Sequence, residues 1–471
     1  MAALWACDAH PILPPERRGH AAPSRQMRWR SILSVWLFLA CNCTGTIDDD
    51  PTKALVESGP ARSDTSPAPV TKNTAAQAMY GPLFVELAMT ISDQSWARLG
   101  EINKACQGRH RCEDLEPGTS ETCCPPALRK EYVPVSVAFG GQTVSAYARH
   151  KGNPRDWCED CPYQFVIRFN KPNKKARFLG LRRLNLEGER HGALVRNNAA
   201  MWVMRRMGIA APRTNWLKLT LNGAAYAIYE NIEAVDKEFL TNHFADANAN
   251  LYKHLLTSEL KTNEKTGDTT ALTALHDLFE ESDKVLFAKL GGVANVRQWV
   301  KLAAAEATLP ASDNFWTSNY NLYIYDDPHS GWTIIPWDLD DVMYDKANWD
   351  ASLVDGQVEL GDWWARMLHN PTWWAWFLQD VKHTLNTAYK DLPAQIDIWC
   401  CGLRDEVAAL SDSPVAQFSS RASFDSSCRE LKAHITCRIK YLNDVLAGGS
   451  GAVECDPTAM AKSGAMALDC K

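Results

Sequence analysis

The sequence has no excess of positive charge and no apolar run long enough to cross a membrane comfortably. The formal net charge of the 471 residues is −6, which offers no overall electrostatic attraction for nucleic acid. The apolar run at residues 32–40 is too short for a transmembrane helix. Because Arg28 and Arg30 precede it, this run is typical of a signal peptide. We therefore predict an exported protein that does not bind nucleic acid.

The end of this apolar run indicates lipid attachment. Its last residues, FLAC, are similar to a bacterial lipoprotein cleavage box, which would make Cys41 the lipidated first residue of the mature chain. We predict a leader over residues 1–43, with the mature protein either anchored in the cell envelope by lipid or extracellular. Residues 44–78 lack hydrophobic periodicity and are rich in Ser, Thr, Pro and Asp, which predicts a disordered tether.

Cysteine, by contrast, is abundant, with 15 residues in the chain. Cys7, Cys41 and Cys43 lie in the leader region, and an even number remains. In an oxidising compartment an even set indicates structural disulfides, although the spacing leaves their pairing open. The motif CEDC at residues 158–161 would also suit a zinc or redox site, but zinc needs a second ligand pair and none is evident. We therefore favour disulfides.

Predicted strands dominate the first half of the chain and predicted helices the second. Gly140-Gly141 and Asn222-Gly223 mark hairpin turns within two of the strand-like segments. Strands are predicted at residues 83–91, 132–148, 163–170, 215–232, 320–327 and 331–339. Helices are predicted at residues 194–207, at 268–309 and from about residue 355 onward. Locally paired strands followed by helices indicate an α+β fold with antiparallel sheet.

Three carboxylates, Asp338, Asp340 and Asp341, directly follow the apolar run TIIPW. Such groups resist burial and repel one another unless a cation lies between them. One interpretation is a solvated turn after a buried strand. The other is a divalent-metal site, because Mg²⁺ is usually held by one or two carboxylates together with substrate phosphates.

Further polar residues lie before and at the start of the first strand of the same predicted hairpin, namely Asp313, Asn314, Asn319 and Asn321. If the two strands pair, the residues before the first and after the second meet at one end. Phosphoryl transfer needs such a group, since one carboxylate accepts the proton of the acceptor hydroxyl while an amide and another carboxylate hold the metal. Protein kinases use the same order of residues, although this chain has no HRD, DFG or GxGxxG motif.

Several ordered motifs resemble the CotH kinase family, the spore-coat H proteins and their secreted bacterial relatives. The segment from LRRLNLEGE to LTLNGAAYAIYENIE is similar to the family's most recognisable block, and NLYKH and PWDLD follow in the family's order. The resemblance covers residues 83–445. It implies an atypical protein-kinase-like fold of two lobes, strand-rich at residues 79–266 and catalytic and helical at 267–446. A tail with a disulfide would follow at 447–471.

The resemblance also implies the ligands and the role of each matching residue. ATP would bind between the lobes, with Mg²⁺ or Mn²⁺ at the carboxylates. Asp313 is implied as the catalytic base, and Asp338 with Asp340 as metal ligands. Asn319 or Asn321 would neighbour the metal or the phosphates.

A phosphate-binding cation is implied as well, oriented by an ion pair as in ordinary kinases. Glu230 or Glu233 would supply the carboxylate of that pair. The candidate cations are Lys151, Arg168, Arg196 and Lys253. For each of them a purely structural ion pair is the alternative. The chain departs from the family where a Lys-rich strand is expected, because only Arg168 is available there, and Arg is not equivalent to a phosphate-binding Lys.

Three functions follow as hypotheses. The leading one is an exported or lipid-anchored kinase that transfers the γ-phosphate of ATP to Ser or Thr of an unidentified protein, with Mg²⁺ or Mn²⁺. The second keeps the nucleotide site but performs AMP transfer or ATP-dependent amino-acid ligation, which the sequence does not distinguish because acceptor choice depends on surfaces. The third is an inactive cell-surface binding or structural module, whose site is either degenerate or holds Ca²⁺ for stability.

Overall fold

The computed structural model describes most of the chain from residue 75 onward. The described residues are 75–115, 121–171, 173–188, 194–254, 259–310, 315, 320–343, 348–353, 363–413 and 415–470. The predicted leader and most of the predicted tether lie outside this part of the chain. Among the described helices, none has both the length and the apolar character needed to cross a membrane.

Seven strands close into a barrel, and two short strands pair separately. The short pair is β2 (His110–Arg111) with β3 (Cys123–Cys124). The barrel strands are β1 (Phe84–Thr90), β4 (Val133–Phe139), β5 (Gln142–His150), β6 (Phe165–Arg168), β7 (Arg183–Glu187), β8 (Thr214–Leu221) and β9 (Ala224–Ile232). Around the barrel the order is β1-β4-β5-β6-β7-β9-β8. Neighbours are antiparallel as predicted, except that β1 and β8 pair in parallel and so close the barrel.

The two predicted hairpin turns are present in the barrel. Gly140-Gly141 joins β4 to β5, and Asn222-Gly223 joins β8 to β9. All four residues have positive φ, between +48° and +86°. Glycine and asparagine tolerate this conformation, and two such residues in succession match the right-handed twist of the strands they connect.

Apolar side chains from alternate strand positions fill the barrel. The core includes Leu87, Met89, Val135, Val137, Phe165, Ile167, Leu184, Leu186, Leu217 and Leu219. Short helices flank it: α1 (Gln77–Tyr80), α2 (Asp93–Cys106), α3 (Pro126–Arg129) and α4 (Arg196–Arg206). The helix predicted at residues 194–207 is α4, which ends before Gly208. These strands and helices position the ends of β5 and β7 against the second sheet.

The second sheet contains the predicted hairpin. Its order is β11 (Glu259–Leu260), β10 (Leu251–Lys253), β12 (Leu322–Asp327) and β13 (Gly331–Pro336). Strands β12 and β13 pair from Leu322 opposite Pro336 to Asp327 opposite Gly331. The residues before β12 and after β13 therefore meet at one end, as predicted.

Helices make up most of the remaining described chain. They are α5 (Lys237–His243), α6 (Thr270–Glu280), α7 (Asp283–Val293), α8 (Val296–Thr308), α9 (Trp363–Leu368), α10 (Pro371–Thr384), α11 (Lys390–Ala408), α12 (Arg421–Leu446) and α13 (Pro457–Lys462). The single helical segment predicted at 268–309 is thus three helices. One break falls at Asn295, whose side chain accepts a hydrogen bond from the Gln298 amide and so caps α8.

Aromatic side chains from the helices pack in a large core shared with β12 and β13. Trp363 stacks on Phe279 with ring centroids 3.6 Å apart, and Trp299 is fully buried nearby. The fold is therefore a mixed α/β one with a strand-rich first half and a helical second half. The two-lobed arrangement stays a prediction.

All twelve cysteines that follow the leader region are paired. The disulfides are Cys106–Cys124, Cys112–Cys123, Cys158–Cys161, Cys400–Cys428, Cys401–Cys470 and Cys437–Cys455. The CEDC motif thus pairs within itself, and the last disulfides tie the C-terminal tail to the long helices. This pattern is consistent with an extracellular protein.

Candidate functional site

The open end of the β12–β13 hairpin brings Asn321 and Asp338 together. The Trp337 amide donates to the Asn321 carbonyl over 2.9 Å, and the Asn321 Nδ2 donates to the Asp338 carbonyl, also over 2.9 Å. Both residues have positive φ, +52° and +58°, a conformation that Asn and Asp adopt more readily than other side-chain-bearing residues. The backbone bonds therefore fix the point at which the chain leaves the strand and presents Asp338.

Lys151 lies opposite Asp338, directly after the end of β5. It is buried, with 7% of its surface exposed. Its Nζ forms an ion pair with Glu187 Oε1 and lies 3.6 Å from Asp338 Oδ1. Burial alone would lower the pKa of Lys151, but the carboxylates of Glu187 and Asp338 outweigh it and raise that pKa. One lysine thus connects the barrel to the hairpin end.

The carboxylates around Lys151 exceed its single charge. Burial, followed by the charge of Asp338, raises the pKa of Glu187 to about 7. Burial also raises the pKa of Asp340 well above its ordinary value, and the nearby charges of Asp338 and Glu187 add to this. The pKa of Asp338 is lowered despite burial, because Lys151 and Lys253 favour its ionised form. An additional cation near these carboxylates would therefore favour their ionised forms.

A divalent metal would fit this cluster. Glu187 Oε2 is buried and has no hydrogen-bond partner among the described residues. Within the same part of the chain, no three carboxylate, histidine or cysteine side chains are placed to hold a metal by themselves. Mg²⁺ does not require such a set, because it usually takes one or two carboxylates and completes its octahedron with phosphates and water. Asp338 and Asp340 are the residues that would hold it.

Glu230 lies beside this cluster, paired across β7 and β9 with Glu187. It is fully buried, and burial raises its pKa to about 8. The amide of Asn198, near the start of α4, donates to Glu230 Oε1 over 3.1 Å. Arg196, the first residue of α4, is also buried, and its charge acts on Glu230. Glu230 therefore interacts electrostatically with Glu187 and Lys151 of the cluster and with Arg196.

The start of α4 also contacts the carboxylate segment. Asn197 is fully buried, and its Oδ1 accepts a hydrogen bond of 3.3 Å from the Leu339 amide. Leu339 lies between Asp338 and Asp340. Helix α4 therefore orients the backbone that carries both predicted metal ligands.

Lys253, at the end of β10, is the second cation near Asp338. Burial lowers its pKa to about 8, while the Asp338 charge opposes this shift. The charges of Lys261 and Arg111 also act on Lys253, so the cationic side of the site extends beyond the predicted residues. Lys151 and Lys253 are thus the two lysines whose charges act on Asp338, and both could attract a negatively charged ligand such as a triphosphate.

Two of the other predicted residues, Arg168 and Glu233, have their described contacts elsewhere. Arg168 lies at the end of β6 remote from Lys151, where its Nε donates to Asn170 Oδ1 over 2.8 Å. Glu233 forms an ion pair with Arg213, Nη2 to Oε1 at 2.6 Å. The carboxylate that pairs with Lys151 is Glu187, whereas the pairing of Glu230 or Glu233 with a phosphate-binding cation stays a prediction. Asp313 and Asn319 lie outside the described residues.

A comparison with known protein families is decisive at this point. The family model described as CotH kinase protein matches residues 148–442. The chain belongs to the CotH kinase family. No curated protein matches the chain. The matched range includes Lys151, Glu187 and the hairpin with Asp338, whereas β1 and β4 precede it.

Membership of the CotH kinase family indicates an atypical kinase-like transferase, a class that generally uses ATP and a divalent metal. In ordinary kinases the Lys of the ion pair is on a strand and its Glu on a helix. In this CotH family member, Lys151 follows β5 and Glu187 ends β7, so both come from the barrel. Sequence reasoning missed Glu187, although a carboxylate directly after the apolar-patterned LNL could have indicated it.

Proposed function

We propose that this protein is an exported kinase that uses ATP with Mg²⁺ or Mn²⁺ to phosphorylate Ser or Thr of another protein. The single observation that carries the proposal is the position of Lys151 Nζ, in an ion pair with Glu187 and 3.6 Å from Asp338. A lysine held in this way is suited to contact phosphate oxygens, and Asp338 beside it would hold the metal that accompanies the phosphates. Family membership supports the same reaction class.

The roles of the residues follow from this placement. Lys151, oriented by Glu187, binds phosphate oxygens, and Lys253 adds a second positive charge near Asp338. Asp338 and Asp340 would hold the metal, which would neutralise charge on the phosphates. Asp313 is the predicted base that takes the proton from the acceptor hydroxyl as its oxygen bonds to the γ-phosphorus and ADP leaves. The six disulfides support export, and lipid attachment at Cys41 is part of the proposal.

The test uses the full chain, produced in an oxidising compartment so that its disulfides form. The protein is incubated with ATP labelled at either the α- or the γ-phosphorus, with Mg²⁺ or Mn²⁺, in the presence of a Ser/Thr peptide library. We expect γ-label on peptide or on the protein itself, and no α-label. Asp338→Asn should lower the transfer rate by about 100-fold or more, as removal of a key charge-stabilising group commonly does.

The matched control is Asp327→Asn, which makes the same chemical change at the opposite end of the hairpin. Asp327 is buried and accepts hydrogen bonds from the turn at His329 and Ser330, away from Lys151. This variant should keep the transfer rate. Transfer of α-label would instead establish AMP transfer. Absence of both labels, with Ca²⁺ but not Mg²⁺–ATP raising the melting temperature, would overturn the kinase proposal in favour of a calcium-stabilised module.

A further inference from the structure

A buried arginine, Arg438, donates hydrogen bonds to two backbone segments, one at the end of α8 and one after Asp338 and Asp340. Arg438 lies near the end of α12 and is 1% exposed. Its guanidinium donates to the carbonyls of Ala307 (2.7 Å), Thr308 (3.4 Å) and Trp349 (3.1 Å), and also to that of Ala351. Among the described residues, no carboxylate lies within ion-pair distance of it. Four backbone oxygens from two separate segments therefore share one side chain.

Burying a guanidinium without a paired carboxylate is costly, so the contacts must offset that cost. Burial lowers the pKa of Arg438 to about 10, which leaves the group charged at neutral pH. Ala307 and Thr308 end α8, where the last carbonyls have no partner within the helix and carry partial negative charge. Arg438 thus caps the C-terminal end of α8 with a full positive charge.

The two segments that Arg438 joins flank the carboxylate cluster. The end of α8 leads to Pro310, shortly before the predicted base Asp313. Trp349 and Ala351 follow the segment of Asp338 and Asp340. Nearer to the site, the Met343 amide donates to the Pro310 carbonyl over 2.8 Å. The same two stretches of backbone are therefore joined twice, once by this hydrogen bond and once by Arg438.

Arg438 is itself held firmly. Cys437, the preceding residue, is joined to Cys455, and Cys428 of the same helix is joined to Cys400 of α11. The guanidinium also lies over the ring of Tyr441, 5.0 Å from its centroid. The guanidinium that binds the four carbonyls is therefore held in place by α12. This helix contributes none of the predicted catalytic, metal-binding or phosphate-binding residues.

We infer that Arg438 is a positioning residue for phosphoryl transfer, which fixes the end of α8 relative to the segment following Asp338 and Asp340. The inference rests on the proposed function. A lysine would not replace it, because an ammonium is a point donor and lacks the planar fork that reaches several carbonyls at once. A loosened framework would misplace the reacting groups, and small misplacements reduce rates strongly.

The test compares the full chain with Arg438→Lys and Arg438→Met. The matched control is Lys432→Met on the same helix, which removes another buried cation, one that binds Asp397 and the Ala467 carbonyl instead. We expect Arg438→Lys to lower kcat by about tenfold or more and to raise the Mg²⁺ concentration needed for half-maximal rate, with the KM for ATP changed much less. The control should lose melting temperature but keep kcat and the metal requirement.

Amide hydrogen exchange supplies a readout that does not need activity. Exchange at Met343 should accelerate in Arg438→Lys and not in Lys432→Met. Only the first variant removes the guanidinium that joins the end of α8 to the segment of Trp349 and Ala351. Unchanged exchange at Met343, or equal changes in both variants, would overturn the inference. If the unmodified protein transfers no label, the proposed function fails while the exchange result still decides the role of Arg438 in the framework.

Should both Arg438 variants fail to fold, a double substitution tests the same idea. Cys437→Ala with Cys455→Ala releases the segment of α12 that holds Arg438 and leaves the guanidinium in place. Accelerated exchange at Met343 would support the inference. Exchange equal to that of the unmodified protein would count against it.

Discussion

His150 should make the stability of this protein depend on pH between neutral and acidic conditions. It is the last residue of β5, is 3% exposed and packs between the rings of Trp157 and Tyr163. Its Nε2 lies 2.9 Å from the Leu99 carbonyl. Because a carbonyl only accepts, Nε2 donates the hydrogen in this contact. Burial lowers the pKa of His150 to about 4, with a smaller contribution from the charge of Arg149.

The sign and size of the effect follow from linkage. An unfolded histidine has a pKa of about 6.5, so below that pH the unfolded chain takes up a proton that the folded protein refuses. The stabilisation is complete above that value and is lost as the pH falls toward 4. Two pKa values of about 6.5 and about 4 correspond to a loss of about 2 kcal/mol at pH 5 and about 3 kcal/mol at pH 4.

The assay is urea-induced unfolding at pH 7, 6, 5 and 4 with disulfides intact, applied to the unmodified chain and to His150→Gln. Glutamine can donate to the Leu99 carbonyl but does not titrate. All other groups titrate equally in both proteins, so the difference between the two free energies of unfolding isolates His150. His383→Gln, on the exposed face of α10, is the control. Parallel pH curves for the unmodified chain and His150→Gln would refute the reasoning.

Two further predictions concern stability. Arg213→Ala should cost about 3–5 kcal/mol, because it removes the guanidinium from the 2%-exposed Glu233 and leaves that carboxylate beside His243, 3.7 Å away. Arg206→Ala, which breaks an exposed pair with Asp391, should cost about 1 kcal/mol or less. Burial would raise the pKa of Glu233, but contacts with His243 and Arg213 outweigh it and lower that pKa to about 2. The stabilisation from Glu233 is therefore present above a pH of about 4.5 and is lost as the pH falls toward 2. Urea unfolding measures the free energy of unfolding of each variant and its dependence on pH. Equal losses of that free energy in Arg213→Ala and Arg206→Ala would contradict the prediction. Replacing Cys400 and Cys428 by Ala should lower the free energy of unfolding by about 3.5 kcal/mol, and replacing Cys158 and Cys161 by about 1.5 kcal/mol. The two values differ because the first disulfide closes a loop with a sequence separation of 28 and the second one of 3, and the longer loop restricts the unfolded chain more. A short-loop pair that costs as much as the long-loop pair would show that chain entropy does not set these values.

Local features of the fold were predictable from the sequence. The Gly140-Gly141 and Asn222-Gly223 turns and the β12–β13 hairpin each depend on neighbouring residues only. Because the hairpin is local, the approach of Asn321 to Asp338 was predictable as well. Oxidation of the cysteines followed from their even number, but their partners did not.

The site's central ion pair was not predictable in the same way. Glu187 meets Lys151 because β5, β6 and β7 lie side by side in the barrel, and many carboxylates in the chain were equally plausible partners from sequence alone. Arg168 illustrates the converse, because it is the cation nearest in sequence to the expected motif yet lies at the end of β6 remote from Lys151. Sequence distance did not decide which charges meet.

By itself, the sequence determined the family and the carboxylates after the apolar strand, since each depends on residues close together in the chain. The tertiary structure alone decided that the parallel pairing of β1 with β8 closes the barrel, that Glu187 pairs with Lys151 and that Arg438 reaches four carbonyls of two distant segments. The physical reason is that burial and charge pairing are satisfied over the whole folded chain. A local window cannot show which distant group will compensate a buried charge.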